Sequence, residues 1–383
     1  MSNFIPFALP EISNDEIAEV IDTLKSGWIT TGPKVKLFES DFQKFIGKEV
    51  TAIAVNSATS GLHLALEALG VSSDDEVIIP SLTFTATAEV VRYMGADAKI
   101  VDVSPDTLNI DIESIRKAIT PKTKVIIPVH YAGLSCCMDE ILQLAKEFRL
   151  KVVEDAAHAL PTSYKGDVIG SLKSDITVFS FYANKTMTTG EGGMVVTRHV
   201  DLAKRMKIMS LHGIDRDAFD RFQSKKPSWY YEVIAPGFKY NMTDISAAMG
   251  IHQLRKLPKF LERRQYLAQR YFESLADLPL TLPEDYIEDG SHSWHLFVIR
   301  LKDEAKMNRD ELIQFLSDKG IGTSVHYVPL HRQPYWRDRY NLTNKMFPNA
   351  DKAYLSMVSI PLYTAMSDGQ QDRVIQAIHE ALV

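Results

Sequence analysis

Seven short runs of the chain, at 52–56, 76–81, 99–103, 124–130, 151–155, 176–182 and 193–197, are apolar at most positions. A strand with one wet face alternates apolar and polar residues, whereas a strand covered on both faces does not. These runs therefore predict a buried, largely parallel sheet. Between them the period changes to that of a helix. At 15–25, Ile17, Val20, Ile21 and Leu24 fall on one face, Ser13 and Glu16 have capping-box spacing, and Gly27 supplies a stop. Leu62, Ala65, Leu66 and Leu69 repeat that spacing ahead of Gly70, and Ile141, Leu144, Ala145 and Phe148 do so again. Helices alternating with buried strands predict a three-layer α/β domain.

From about Asp244 the pattern changes. A helical stretch runs to about Ala276 and is expected to break or kink near Pro258. A strand-like run at 294–301, a helix opened by Asn308 with Glu311, a second strand near 321–327 and a final helix from about Asp368 follow. This reads as a large α/β domain over 1–243 and a smaller α+β domain over 244–383. The segment 213–240 has little periodicity and many aromatic and basic residues, and it is long for a passive connector, so it reads as a functional or mobile loop.

Composition narrows the function. With 383 residues and 45% hydrophobic content the chain can bury a substantial core. A net charge of -6 gives no general attraction to nucleic acid or an anionic membrane, so neither is expected as a partner. The only cysteines, Cys136 and Cys137, are adjacent, which is neither a disulfide framework nor a zinc spacing and suits a reducing cytoplasm. No basic leader precedes an apolar core at the N-terminus, and no apolar run nears the roughly 20 residues that span a bilayer. A cytoplasmic location is expected.

The chemistry is sought where strands of an open α/β sheet end. Asp155 and His158 follow one strand, in "EDAAH". Lys185 follows another, in "FSFYANKTMTTGEGG". A lysine beside a buried sheet edge costs solvation unless its amine is neutralised or bonded. An acid at one strand end and a lysine at another, some thirty residues on, suit a cofactor needing both a Schiff base and a carboxylate for a pyridinium nitrogen, which is pyridoxal 5'-phosphate. Lys185 would bond the cofactor and move the substrate proton, and Asp155 would keep the ring nitrogen protonated. Backbone N–H groups of Ala58 and Thr59, in "NSATSGL", with the Ser180 hydroxyl, would hold the phosphate. Phe84 would stack on the ring. Each residue alone has a plainer role: Asp155 and "NSATSG" as helix caps, Phe84 as core, Lys185 as surface, His158 as packing. Their joint position and order favour the cofactor site.

These segments carry a resemblance. "EDAAH", "FSFYANKTMTTGEGGMVVT", "NSATSGLHLALEALG", "SGWITTGPKV" and "GFKYNMTDISAAMGIHQL" resemble the motifs of the DegT/DnrJ/EryC1/StrS family of sugar-nucleotide aminotransferases, almost end to end. Within it the chain is most similar to enzymes of spore-coat polysaccharide synthesis and to those making UDP-4-amino-4-deoxy-L-arabinose. The resemblance implies a type I aminotransferase fold and a homodimer with active sites shared at its interface. It also implies L-glutamate as amino donor, leaving as 2-oxoglutarate. By motif position Lys185 is the Schiff-base lysine, Asp155 the ring-nitrogen partner, Phe84 the stacking aromatic, and Ala58, Thr59 and Ser180 the phosphate holders. Asn241 would reach the phosphate of the other subunit's cofactor, and His158 would lie on the ring-oxygen side. The family often has histidine where Tyr182 stands, and the arabinose enzymes have tryptophan at Phe84.

A nucleotide-sugar substrate needs donors for its pyrophosphate and groups around its sugar; Thr30, Thr31, His212, Tyr231, Lys239 and His326 are the candidates. Trp229, Tyr230 and Tyr231 could equally pack the loop. For His326 and His331 the alternative is a metal site, but no carboxylate or cysteine cluster accompanies them, so no metal is expected. The function expected is conversion of a nucleotide-linked 4-keto sugar to the 4-amino sugar. The competing readings are a sugar dehydratase, against which the retained Lys185 counts, and a cofactor-binding regulatory scaffold, which needs no proton-transfer amine.

Overall fold

The computed structural model describes residues 4–47, 49–215, 230–284 and 289–383, and in it all seven apolar runs are strands of one sheet. They are β1 (Thr51–Val55), β2 (Glu76–Pro80), β3 (Asp97–Val101), β4 (Thr123–Ile126), β5 (Lys151–Asp155), β8 (Ile176–Ser180) and β9 (Gly193–Thr197). A two-stranded ribbon, β6 (Ser163–Tyr164) with β7 (Asp167–Val168), lies outside it. The sheet order is β1-β9-β8-β5-β4-β2-β3. Only β9 runs against its neighbours, β1 and β8. The other pairings are parallel.

The absence of alternation has the expected cause. Val77 and Ile79 face one apolar cluster and Ile78 another; Val153 and Val152 divide in the same way. Successive side chains on a strand point to opposite faces, so a sheet covered on both sides needs an apolar residue at every position. Helices including α1 (Asn14–Ser26), α2 (Pro33–Ile46), α3 (Ala58–Ala68), α4 (Ala86–Tyr93), α5 (Ile112–Ala118), α6 (Met138–Phe148) and α7 (Val200–Met209) intervene along the chain.

Helix α1 has the capping box and the left-handed Gly27 read from the sequence. Its apolar stripe, however, faces outward: Ile17, Ile21 and Leu24 are 51%, 44% and 53% exposed, whereas Glu16 and Thr23 are buried. The reason is an ion pair. Glu16 takes Lys256 Nζ at 2.6 Å and Gln253 Nε2 at 2.9 Å, so the polar side of the helix is the side that docks. These partners outweigh the burial cost and hold the Glu16 carboxyl down at about 2.

Lys256 and Gln253 belong to α8 (Asp244–Leu275), a continuous helix of 32 residues; the break expected at Pro258 does not occur. The lost backbone donor costs about 3 kcal/mol. Leu254, Leu257 and Phe260, buried on both sides of the proline, carry the helix across. Its later residues Leu267, Ala268, Tyr271 and Leu275 join a different apolar cluster, beneath the antiparallel sheet β10 (Leu280–Thr281), β11 (Phe297–Leu301) and β12 (Met357–Ile360). Helices Arg309–Asp318, with its Asn308–Glu311 capping box, and Asp368–Leu382 contribute to that cluster.

The strand expected near 321–327 is not formed. Ile321 and Ser324 make single bridges, to Ile5 and Ser359. The sheet position is taken instead by β12, four residues directly after a helix and too short to register as a run. The flanks of the loop at 213–240 pair with each other through Leu211–Lys239 and Ile214–Val233 bridges. Trp229 lies outside the described residues. Among the described residues no helix is long and apolar enough to cross a membrane.

Candidate active site

Because β9 is reversed, its first residues lie at the same sheet edge as the last residues of β1, β2, β4, β5 and β8. A cavity of about 420 Å³ opens there. It is lined by Ala58 and Thr59 after β1, Phe84 and Thr87 after β2, Asp155 at the end of β5 and His158 beyond it, Ser180 at the end of β8 and Lys185 beyond it, and Glu191 and Gly192 before β9. His326 and Tyr327 close it from the segment beyond β11. Eight of the expected residues, distant in sequence, thus share one cavity.

Asp155 is almost fully buried. It accepts from Thr87 Oγ1 at 2.8 Å and from the Ala157 backbone N–H at 3.2 Å. Burial pushes its carboxyl up, opposed by these two donors and by the Lys185 charge. Thr87 itself takes the Thr83 hydroxyl at 2.8 Å, so α4 holds the acid in one orientation. Thr87→Val keeps the shape and removes the donor. A hydrogen bond to a charged group contributes roughly 1.5–3 kcal/mol to stability, so the melting temperature is expected to fall by a few degrees and turnover about tenfold.

Lys185 presents its amine to the cavity and makes no side-chain hydrogen bond among the described residues. Burial lowers its pKa to about 8, only partly offset by the Asp155 charge. A neutral amine is the reacting form. Lowering the pKa from 10.5 therefore raises the neutral fraction at pH 7 from about one in several thousand to about one in ten. The rate at which apoenzyme combines with pyridoxal phosphate is expected to rise with pH and level off above about 8; a midpoint near 10.5 in stopped-flow absorbance would contradict the environment described.

At the phosphate end, Ser57 caps α3 by accepting from the Ser60 N–H at 3.1 Å. The N–H groups of Ala58 and Thr59 then remain uncommitted among the described residues, at the positive end of the helix dipole. Gly193 allows the approach: a Cβ there would sit 2.8 Å from Ala58 N and 2.8 Å from Phe179 O. Phe84 is 57% exposed, an aromatic face kept open at the cavity wall. Asn184 Oδ1 lies buried with no donor. Together these supply a nucleophilic amine, a buried acid, anion-binding amides and an aromatic plate, the set that pyridoxal phosphate requires.

Not every candidate converges. His158 and His326 line the cavity, both held neutral by burial and by the Lys185 charge. Thr31 and Asn241 line a different cleft, where Asn241 Nδ2 donates to Thr31 Oγ1 at 2.7 Å and takes Lys239 Nζ at 2.5 Å on its oxygen. Thr30, His212, Tyr231 and Lys239 do not line the cavity either. His331 bonds Ser81 and Asp351 at 2.6 and 3.2 Å inside the fold, a side-chain clamp rather than a ligand site. The sequence reading missed Thr87, Asn184, Glu191 and Tyr327 as cavity residues. For Thr87 a signal existed, one helical turn after Thr83 behind a strand end; nothing local marks the others.

The sequence profile of the DegT/DnrJ/EryC1/StrS aminotransferase family matches residues 10–379. The spore coat polysaccharide biosynthesis protein SpsC of Bacillus subtilis is 45% identical over 381 residues, covering 99% of this chain and 97% of that one. Among solved structures, the PLP-form of the putative sugar aminotransferase Spr1654 of Streptococcus pneumoniae superposes with a TM-score of 0.91 at 35% identity, covering 99% and 100% of the two chains. DesV of S. venezuelae, solved in complex with a ketimine intermediate, gives 0.85 at 33% identity over 95% and 93%. The chain belongs to the DegT/DnrJ/EryC1/StrS aminotransferase family and uses pyridoxal phosphate as its cofactor.

Proposed function

We propose that this protein transfers an amine from L-glutamate to the 4-keto group of a nucleotide-linked sugar, as a homodimer, in the synthesis of a surface polysaccharide or related glycan. The observation that carries the reading is the pairing, in one cavity, of the Lys185 amine, without a hydrogen bond among the described residues, with the buried Asp155 carboxyl. The pathway class rests on the names of relatives, SpsC, and PseC of Helicobacter pylori, an aminotransferase involved in the biosynthesis of pseudoaminic acid; the 4-keto sugar and the glutamate donor rest on the resemblance of the motifs to the family.

The bound pyridoxal ring supplies an electron sink for carbon–hydrogen bond cleavage next to the transferred nitrogen. Asp155 would keep the ring nitrogen protonated. Lys185 Nζ would be the base that takes the α-proton of glutamate and gives it back, and the same atom would serve in the opposite direction for the sugar half-reaction. Ala58, Thr59 and Ser180 would hold the phosphate, and Phe84 would cover the ring.

Two features support the dimer. Ile17, Ile21 and Leu24, with Leu9, Ile12 and Ile29 nearby in sequence, leave an apolar surface exposed. Thr31, Lys239 and Asn241 form a polar patch away from the chain's own cavity, as residues serving a partner's site do. The double substitution Ile17→Lys, Ile21→Glu is expected to give a folded monomer by sedimentation with activity reduced at least about tenfold. A dimer of unchanged stability would remove this assignment of the interface.

The direct test is the visible spectrum of the holoenzyme before and after L-glutamate. A band that shifts on addition, and returns with a 4-keto sugar nucleotide, supports both halves. A band indifferent to glutamate rejects the donor, and one that returns only with a 3-keto sugar nucleotide rejects the position.

A further inference from the structure

The bonds around His158 have a definite direction. Its Nδ1 accepts the Ala132 backbone N–H at 3.3 Å, and its Nε2 lies 2.9 Å from the Tyr327 hydroxyl oxygen. A backbone amide can only donate, so Nδ1 carries no proton and the ring's proton is assigned to Nε2. Nε2 therefore donates, and Tyr327 Oη accepts. That leaves the phenol's own proton uncommitted: among the described residues no acceptor takes it. Tyr327 lines the cavity with Lys185 and Asp155, and its ring lies 5.8 Å from that of Phe84.

A hydroxyl proton left unpaired at a cavity wall is costly once a ligand displaces water. The group stays a donor, because burial holds its ionisation far above the ordinary tyrosine value, reinforced by Tyr131 and Asp155. His158 has only one N–H, and it is already given to Tyr327. We propose that Tyr327, rather than His158, donates the hydrogen bond to the phenolate oxygen of the pyridoxal ring, with His158 acting as the positioning residue that holds the phenol by its oxygen. The inference rests on the reading of Lys185 and Asp155 as the two ends of the cofactor site.

The titratable groups around Tyr327 are His158 and Asp155 from the end of β5, Tyr131 after β4 and the adjacent His326, with Lys185 bearing on both histidines. The test is a spectrophotometric pH titration of the lysine-linked cofactor in wild-type, Tyr327→Phe and His158→Phe holoenzymes. A ring oxygen deprived of its donor becomes more basic and holds the imine proton it shares more tightly. The titration in Tyr327→Phe is expected to move up by about one pKa unit or more. In His158→Phe, where the phenol loses its anchor but keeps its proton, the shift is expected in the same direction and smaller. An unmoved titration in Tyr327→Phe overturns the inference. So does a larger shift in His158→Phe, which would make the histidine the direct donor. Cofactor content and melting temperature, measured on both variants, separate loss of a donor from loss of the fold. A wild type with no lysine-linked band would instead remove the reading of Lys185, a failure distinct from an intact band that Tyr327→Phe leaves unmoved.

Discussion

Lys185→Ala is expected to lower the rate of amine transfer by at least about 10³-fold, because one atom performs two tasks. General-base proton transfer contributes about 10²–10⁴-fold by itself, and the covalent link that positions the cofactor is lost with it. Cofactor binding should survive in weakened form, since the Ala58 and Thr59 amides, Ser180 and Asp155 are untouched. Lys185→Arg separates charge from chemistry. Its guanidinium stays protonated at every working pH and neither bonds the cofactor nor takes a proton, so it should be as inactive as alanine. Single-turnover absorbance after mixing with glutamate measures both. A turnover within tenfold of wild type in either variant would mean that another group moves the proton, and would remove the role given to Lys185.

Asp155→Asn should produce the second largest loss. The substitution keeps the volume: its one amide oxygen can accept from the Ala157 N–H, and its NH2, facing Thr87, can donate to that hydroxyl once the hydroxyl turns, so the site should remain folded around it. The negative charge disappears. A nearby opposite charge moves a pKa by roughly 1–3 units, so the protonated fraction of the ring nitrogen, and with it the electron sink, is expected to fall about 10- to 1000-fold. Comparison with Thr87→Val grades the effect: Thr87 only orients the acid, and its loss should be at least several-fold milder. Equal losses in the two variants would place the effect in orientation and not in charge.

These two residues were legible because strand ends are. Asp155 and Lys185 each follow an apolar run, and an open α/β sheet collects ligands at one edge. The same logic reached Ala58, Thr59, Phe84 and Ser180. Thr87 and Tyr327 were not legible in this way. Thr87 matters because α4 returns it to β5, 68 residues on, and Tyr327 because a segment beyond β11 folds over the cavity toward His158, 169 residues away. Such contacts depend on where elements dock, which local pattern does not encode. Helix α1 makes the same point in reverse. Its apolar period was read correctly as one face, but the buried side is the polar one, because Glu16 finds Lys256 across more than two hundred residues.

Local pattern was enough for the seven buried strands, for the capped helices and for picking out Asp155 and Lys185 as the candidate acid and amine. Each of these follows from periodicity, capping chemistry or composition within a dozen residues. The tertiary structure alone decided that α8 runs through Pro258, that β12 and not 321–327 completes the small sheet, and that Thr31, Lys239 and Asn241 sit apart from the cavity holding Lys185. It also decided which way the proton points between His158 and Tyr327. The physical reason is common to all four: each depends on free energies of burial and hydrogen bonding between groups far apart in the chain, which exist only once the elements have packed.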